Sequence, residues 1–492
     1  MPANNYPYWL SSLIGSKESA DNYLKLVQSD KTFFYVFPST VPIYSEVTDL
    51  ADGFTMLNET QKQNAVAAFK YIESITALSF VQSDEVLASN TLLVALNTQE
   101  EDSYAYAYPP EIHPLGSDIY MAIHPTNETL SAGTQGALTL IHEIGHALGL
   151  KHPHEEAAGL GEISILPVEE DTVSNTVMSY EQSTVESLKL EFNHLDIAAL
   201  HYIYGPNPDS RASDDTYEIS TTQANFIWDG AGLDTIDASR VSSGITLHLT
   251  PGYHDFVGDS ASSTITGAGQ VTINFGTVIE AVIGSKFNDT LIGNAQDNVI
   301  TGNGGSDSID GGDGLDIVVY SDSLSTMTVE GTKDNASIVN WEITLSNGDK
   351  DSLVNVERLS VNDTRLALDL DGHAGSIAKL LGAFLGSDGV ANTDFVGIGL
   401  QYLDTGGTYE ELMGLAASTV FGETPNSRSV VATFYRNLTG QQAPVDVMAT
   451  YASLLDSGDL SLLSLSLQVA DNAINLANID FVGLSAAGLE YS

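Results

Sequence analysis

The sequence predicts a multidomain chain: an α/β domain, then a parallel β-roll or β-sandwich, then a small α-helical domain. Three observations carry this. Strand-like apolar runs alternate with amphipathic patterns as far as about residue 205, a nine-residue period rich in Gly and Asp occupies 284–319, and helical periodicity dominates beyond Gly372. A chain of 492 residues is also too long for one ordinary core. Seventeen Lys plus Arg stand against sixty-five Asp plus Glu, a formal charge of −48. Such a field repels nucleic acid and anionic membrane surfaces and attracts divalent cations. The 42% hydrophobic content is that of a folded protein, so the carboxylates sit on globular domains. There is no cysteine, and stability in an oxidising compartment would have to come from packing or bound metal.

In the first domain, TFFYVFP (32–38) and NTLLVALNT (90–98) have the β-branched and aromatic enrichment of buried strands. NETQKQNAVAAFKYIESIT (58–76) is an amphipathic helix behind a polar cap, and a second helix is expected to begin near Gly133. The texture changes after YGPNPDSRASDDTYEI, which places the first boundary near 207–212. The segments read along the chain are 1–30, a removable propeptide or a permanent helix at 16–29; 31–209; 210–370; and 371–492. The N-terminus lacks a basic region followed by a long apolar one, and no stretch approaches the length of a membrane span.

Four rows carry the nine-residue period: GSKFNDTLI, GNAQDNVIT, GNGGSDSID and GGDGLDIVV. Glycine opens each row, Asp or Asn stands sixth and an aliphatic residue eighth. Glycine is expected to supply a tight turn with positive φ, and the aliphatic residue to point inward from a short strand. The sixth-position carboxylates would then share Ca²⁺ between stacked coils, since oxygen-only donors suit that cation. The candidate ligands are Asp289, Asn298, Asn303, Asp307, Asp313 and Asp316, with Asn298 the weak member where a carboxylate is expected. A flexible Gly/Asp linker is the bland alternative, but it has no reason to keep an aliphatic residue at one place in every nine. The segment 320–370 returns to alternating strands, and the helical segment beyond Gly372 shows no catalytic constellation.

Residues 141–154 read IHEIGHALGLKHPH. His142 and His146, four apart on a helix, project from one face and can reach one ion. Gly149 permits a sharp exit that returns His152 as a third ligand, and Glu143 can hold and deprotonate a water. Three neutral imidazoles leave Zn²⁺ an open position, as a catalytic site requires. Individually satisfied histidines are the alternative; five matching positions of HExxHxxGxxH weigh against it. His154 falls outside the spacing.

HEIGHALGLKHP resembles the zinc motif of the metzincin endopeptidases, and the proline after the third histidine is similar to the serralysin branch. TVMSY (176–180) resembles that branch's Met-turn. The resemblance implies Met178 as a floor beneath the metal, and Tyr180 as a further zinc ligand or a stabiliser of the oxyanion. FNHLDIAALHYIYGPN (192–207) resembles the family's closing helix, giving Asp196 and Tyr204 structural places. The nine-residue rows fit the family's calcium-binding roll, and the resemblance covers roughly 30–370. About 120 residues of helix follow where the family's familiar C-terminus ends. Within them FYRNLTGQQAPVDVMATYASLLDSGDLS (434–461) is similar to a helical domain of unknown function found in secreted bacterial repeat proteins.

The expectation is therefore a secreted zinc endopeptidase with Zn²⁺ and Ca²⁺ as cofactors and Glu143 as general base. Its substrates would be extracellular proteins or peptides, bound along an edge strand in the antiparallel manner. The resemblance further implies a type I secretion machinery reading a C-terminal signal, and a protein inhibitor, as partners. The alternative from another class is a calcium-dependent adhesion or matrix-binding protein whose protease-like domain is inactive.

Overall fold

The computed structural model describes residues 7–14, 17–27, 30–42, 52–85, 90–113, 115–155, 165–181, 188–334 and 337–492. The chain is multidomain, with mixed sheets, a strand-rich repeat region and a helical C-terminal region. It forms two compact units, 1–235 with 250–279 and 236–249 with 280–492. This division differs from the four consecutive segments read along the sequence. Residues 210–235 and 250–279 fold with the first unit, and the repeat region shares a unit with the helices.

In the first unit, β1 (Thr32–Val36), β2 (Ser79–Gln82), β3 (Thr91–Asn97), β4 (Ala105–Ala107) and β5 (Ile119–Ala122) lie in the order β2-β1-β3-β5-β4. The first three and β5 are parallel, and β4 is an antiparallel edge. All seven residues of β3 are buried, which is why TLLVALN reads as one apolar run: a central parallel strand is covered on both faces. Among the helices, α1 spans Tyr8–Ile14, α2 Lys17–Leu26, α3 Glu59–Ile75, α4 Gln135–Ala147 and α5 His194–Tyr204. Asn58 and Gln61 form a capping box that starts α3, whose Phe69 stacks on Phe80 of β2 with centroids 4.9 Å apart. Thr134 caps α4 through the Ala137 amide, so the helix begins two residues beyond the expected start.

The segment 16–29 falls on α2, with residues 16, 28 and 29 outside the described set. Ahead of it, α1 buries Trp9, Leu10, Leu13 and Ile14 in the core that α4 and α5 share. At about 1.5–3 kcal/mol for each buried side chain of this size, α1 is part of what holds the unit together. Its ends are also tied polarly. The Tyr8 hydroxyl donates to Glu170 Oε2 at 2.7 Å, and Glu170 Oε1 accepts from the Thr266 amide and hydroxyl. The Lys151 amide donates to the Leu13 carbonyl at 2.7 Å.

In the second unit successive nine-residue rows alternate between two sheets. The strands Thr290–Ile292 and Ser308–Asp310 pair in parallel in one, and Ala281–Ile283, Val299–Thr301 and Ile317–Val319 in the other. Leu291, Ile300, Ile309 and Val318, the eighth residues of the rows, are at most 1% exposed and fill the space between the sheets. The row-opening glycines do not have positive φ; Asn303, Gly305, Gly312 and Gly314 do. Close stacking is what requires them: a Cβ on Gly293 would lie 1.8 Å from the Gly311 carbonyl oxygen of the next coil.

Beyond the roll, helices from His373–Leu385 to Phe481–Ala487 bury a second core around Ile377, Phe384, Leu400, Met413 and Phe434. Arg358, 1% exposed, meets Asp404, the last residue of the helix Thr393–Asp404, through two bonds of 2.9 and 3.0 Å, and Asp369 beside it. The last strand, Leu489–Tyr491, pairs antiparallel with Arg365–Ala367. Among the described residues no helix is long and apolar enough to cross a membrane.

Candidate metal centre

The site grows from the C-terminal half of α4. His142 and His146 share one face, and Gly149, with φ +101°, reverses the chain while the Leu150 amide caps the Gly145 carbonyl. The reversal brings His152 back until its Nε2 lies 3.1 Å from His142 Nε2 and 3.0 Å from His146 Nε2. A side chain at Gly149 would also strike the ring of Tyr23 on α2.

The outer ring nitrogens decide what this convergence means. His142 Nδ1 lies 2.7 Å from the Val177 carbonyl, His146 Nδ1 2.8 Å from the Leu150 carbonyl, and His152 Nδ1 2.7 Å from Glu155 Oε1. A carbonyl or carboxylate only accepts, so each Nδ1 carries the proton and each Nε2 presents a lone pair. Three lone pairs at about 3 Å repel one another unless a cation stands among them. Tetrahedral Zn–N bonds of about 2.0–2.1 Å set neighbouring nitrogens roughly 3.3 Å apart, so the donor set fits that ion. Burial lowers the pKa of His142 and His146 to about 4 and that of His152 in the same direction, leaving neutral imidazoles at pH 7. Tyr180, largely exposed, places its hydroxyl 2.7 Å from His152 Nε2, within reach of the same point.

Glu143, 6% exposed, has an Oε2 without a hydrogen-bond partner, and burial pushes its carboxyl up to about 8. It lines a cavity of about 490 Å³ bordered by the residues before β4, by α4 and by Val177 and Tyr180. Met178 is fully buried below α4, against Gly145. Asp196 on α5 accepts from the Thr176 hydroxyl and from the Val177 and Asn193 amides. Through Val177 it fixes the carbonyl that orients His142. Tyr204 is buried and donates to the Leu148 carbonyl at 2.9 Å. His154 stacks on His152 with centroids 5.5 Å apart and pairs with Asp171 at 3.3 Å.

In the repeat region the sixth residues form ladders 18 residues apart. The Asp289 amide donates to Asp307 Oδ1, and the Asn298 amide to Asp316 Oδ1. The ladders run on, from the Asp307 amide to Asp351 and from the Asp316 amide to Glu357. Asp307 Oδ2 and Asp316 Oδ2 are buried without a partner. Burial and neighbouring carboxylates push these two groups up to about 8 and about 7. Asn303 lies apart, its amide donating to the Gly284 carbonyl at 2.7 Å, and Asp313 is exposed.

Several of these residues escaped the sequence reading. Glu155 and the Val177 and Leu150 carbonyls orient the three imidazoles from places no metal motif specifies. Asp351 and Glu357 continue the ladders after an inserted hairpin breaks the spacing. Asp215, Asp229 and Asp234 bring ligand atoms within 4.8 Å of one another in the first unit. Here a signal was present: DGAGLDTID (229–237) is a row of the same type, standing well before the others.

Residues 283–318 match the RTX calcium-binding nonapeptide repeat, in four copies. The chain is 32% identical over 245 residues to Serralysin B of Dickeya chrysanthemi, covering 44% of this chain and 49% of that protein. It is 30% identical over 302 residues to Serralysin of Photorhabdus luminescens, covering 55% and 59%. Metallopeptidase AprA of Pseudomonas marginalis is 30% identical over 275 residues, covering 49% and 55%. This chain resembles the serralysins. It spans about half the length of the curated relatives it matches.

Proposed function

We propose that the chain is a zinc-dependent endopeptidase of serralysin type, with a metzincin catalytic domain within 31–209 and a calcium-stabilised roll within 210–370. The observation that carries this is the convergence of three Nε2 lone pairs whose Nδ1 protons are committed elsewhere. His142, His146 and His152 would hold the ion, with Tyr180 beside them. When bound, Zn²⁺ supplies Lewis-acid polarisation of a carbonyl and acidification of water. A substrate strand would lie antiparallel to the edge strand β4. Glu143 would take a proton from water at the orphaned Oε2 and pass it to the leaving amine. The Tyr180 hydroxyl would donate to the oxyanion.

The reading extends to calcium and export. The paired, partly unsatisfied ladder carboxylates suit Ca²⁺, and a chain with charge −48 and no cysteine suits folding outside the cell, where that ion is plentiful. Export by a one-step machinery that reads the C-terminal residues, and control by a protein inhibitor, belong to the same reading. An adhesion protein with an inactive site has no specific feature in its favour, since every residue the chemistry needs is present. Glu143→Gln is the test. It should keep stoichiometric zinc and lose at least about 100-fold in peptide hydrolysis; hydrolysis at an undiminished rate would exclude the assignment.

A further inference from the structure

The cavity in front of Glu143 is charged on one side only. Glu100 and Asp102, on the turn that leads into β4, line it together with Tyr104, and no Lys or Arg does. Both carboxylates are exposed, and neither pairs with a cation among the described residues. The turn is held in place. The Ser103 amide donates to the Glu100 carbonyl at 3.0 Å and its hydroxyl to Gln99 Oε1 at 2.6 Å, while Gln99 Nε2 donates to the Tyr120 carbonyl of β5. The Asn127 amide fixes the Tyr104 carbonyl at 2.8 Å. Glu143 lines the same cavity and its buried Oε2 has no partner, which marks the cavity as the place where a ligand's reacting atoms would lie.

We propose that Glu100 and Asp102 are specificity-determining residues that select peptides carrying Lys or Arg within about two residues of the scissile bond. The inference rests on the endopeptidase reading above. A peptide along β4 passes the 100–104 turn on its way to Glu143, so an ammonium or guanidinium near the cleaved bond meets two carboxylates carried on a held turn. An acidic residue there meets repulsion. Exposed ion pairs are individually weak, so two of them correspond to about a three- to tenfold preference in kcat/KM. The overall negative field also attracts basic peptides, but removing two charges of 48 scarcely alters it.

The test uses the full chain with zinc and calcium and three peptides identical except for Lys, Gln or Glu flanking one cleavable bond. The expected order is Lys, Gln, Glu, with a Lys-to-Gln ratio of about three to ten. That ratio should fall within about twofold in the double variant Glu100→Gln/Asp102→Asn and invert in Glu100→Lys/Asp102→Lys. Equal cleavage of the Lys and Gln peptides by the parent chain, or a preference surviving both double variants, would overturn the inference alone. Cleavage of none of the three would overturn the endopeptidase reading and this inference with it.

Discussion

Gly145 and Met178 are in such close apposition that a Cβ on the glycine would lie 2.5 Å from the methionine sulfur. The glycine lies between the two helical histidines, and the sulfur on the loop whose Val177 carbonyl orients His142. The fit between helix and loop is therefore set beside the converging imidazoles, without any imidazole atom taking part.

Gly145→Ala should force that loop away from α4. Overpacking of a well-filled core costs about 1–3 kcal/mol, and the displaced Val177 carbonyl would loosen His142. We expect a lower melting temperature and weaker zinc retention against a competing chelator, although all three histidines remain. Unchanged zinc retention would show that the loop gives way without moving the ligand.

Asp196 offers a second, chemically distinct lever on the same loop. Asp196→Ala leaves the Thr176 hydroxyl, the buried Val177 amide and the part-buried Asn193 amide without an acceptor and should cost about 2–4 kcal/mol. Asp196→Asn should recover most of that, because one amide oxygen can take both N–H groups while Thr176 Oγ turns acceptor. Burial pushes the carboxyl up to about 7, against three hydrogen bonds that favour its charged form. Chemical denaturation of the metal-free forms, followed by zinc titration, separates stability from ligand positioning.

Acid should destabilise the first unit through His201. Its Nε2 donates to the Ile75 carbonyl at 2.7 Å and its Nδ1 accepts from Asn274 at 3.2 Å, an arrangement only the neutral ring can make. Burial lowers its pKa to about 4, as it does for His194. The folded pKa lies below the unfolded value of 6.5, so this stability is complete above pH 6.5 and is lost as pH falls through 4. The loss is about 3 kcal/mol per ring. His201→Gln, which can both donate and accept, should flatten the stability profile between pH 6.5 and 4, read from intrinsic fluorescence in denaturant.

The calcium-free roll should show the opposite pH dependence. Asp307 and Asp316 have folded pKa values of about 8 and about 7, above the unfolded carboxyl value, so protons favour the folded ladder. That stability is present below about pH 4 and is lost as pH rises through 7 to 8. In a chelator, the circular dichroism of the second unit should be more native-like at pH 5 than at pH 8. In millimolar calcium the order should reverse, because the ions then take the place of the protons.

The sequence disclosed what depends on local spacing. The three histidines, Glu143 and Gly149 fall within eleven residues of one helix and its exit, and the eighth-position aliphatics recur within single coils. It did not disclose what depends on distant backbone. The Val177 carbonyl bears no side-chain signature, and Glu155 is one exposed carboxylate among sixty-five acidic residues. The role of the row-opening glycines was misread for the same reason. At Gly293 the constraint is the Gly311 carbonyl of a coil 18 residues on, and at Gly311 the Asn355 carbonyl, neither of which a reading of local φ preferences includes. The burial of α1 was equally hidden, since seven residues have too short a period to distinguish a core helix from a loose leader.

The antiparallel pairing of Arg365–Ala367 with Leu489–Tyr491 encloses the whole helical segment in one closed loop. Both ends of that segment are fastened to the same sheet, so a single backbone cut in a surface connection between helices would release nothing. The two pieces would migrate as one particle on a native gel and part only in denaturant. Damage to this region would accumulate unseen in any assay that measures size alone.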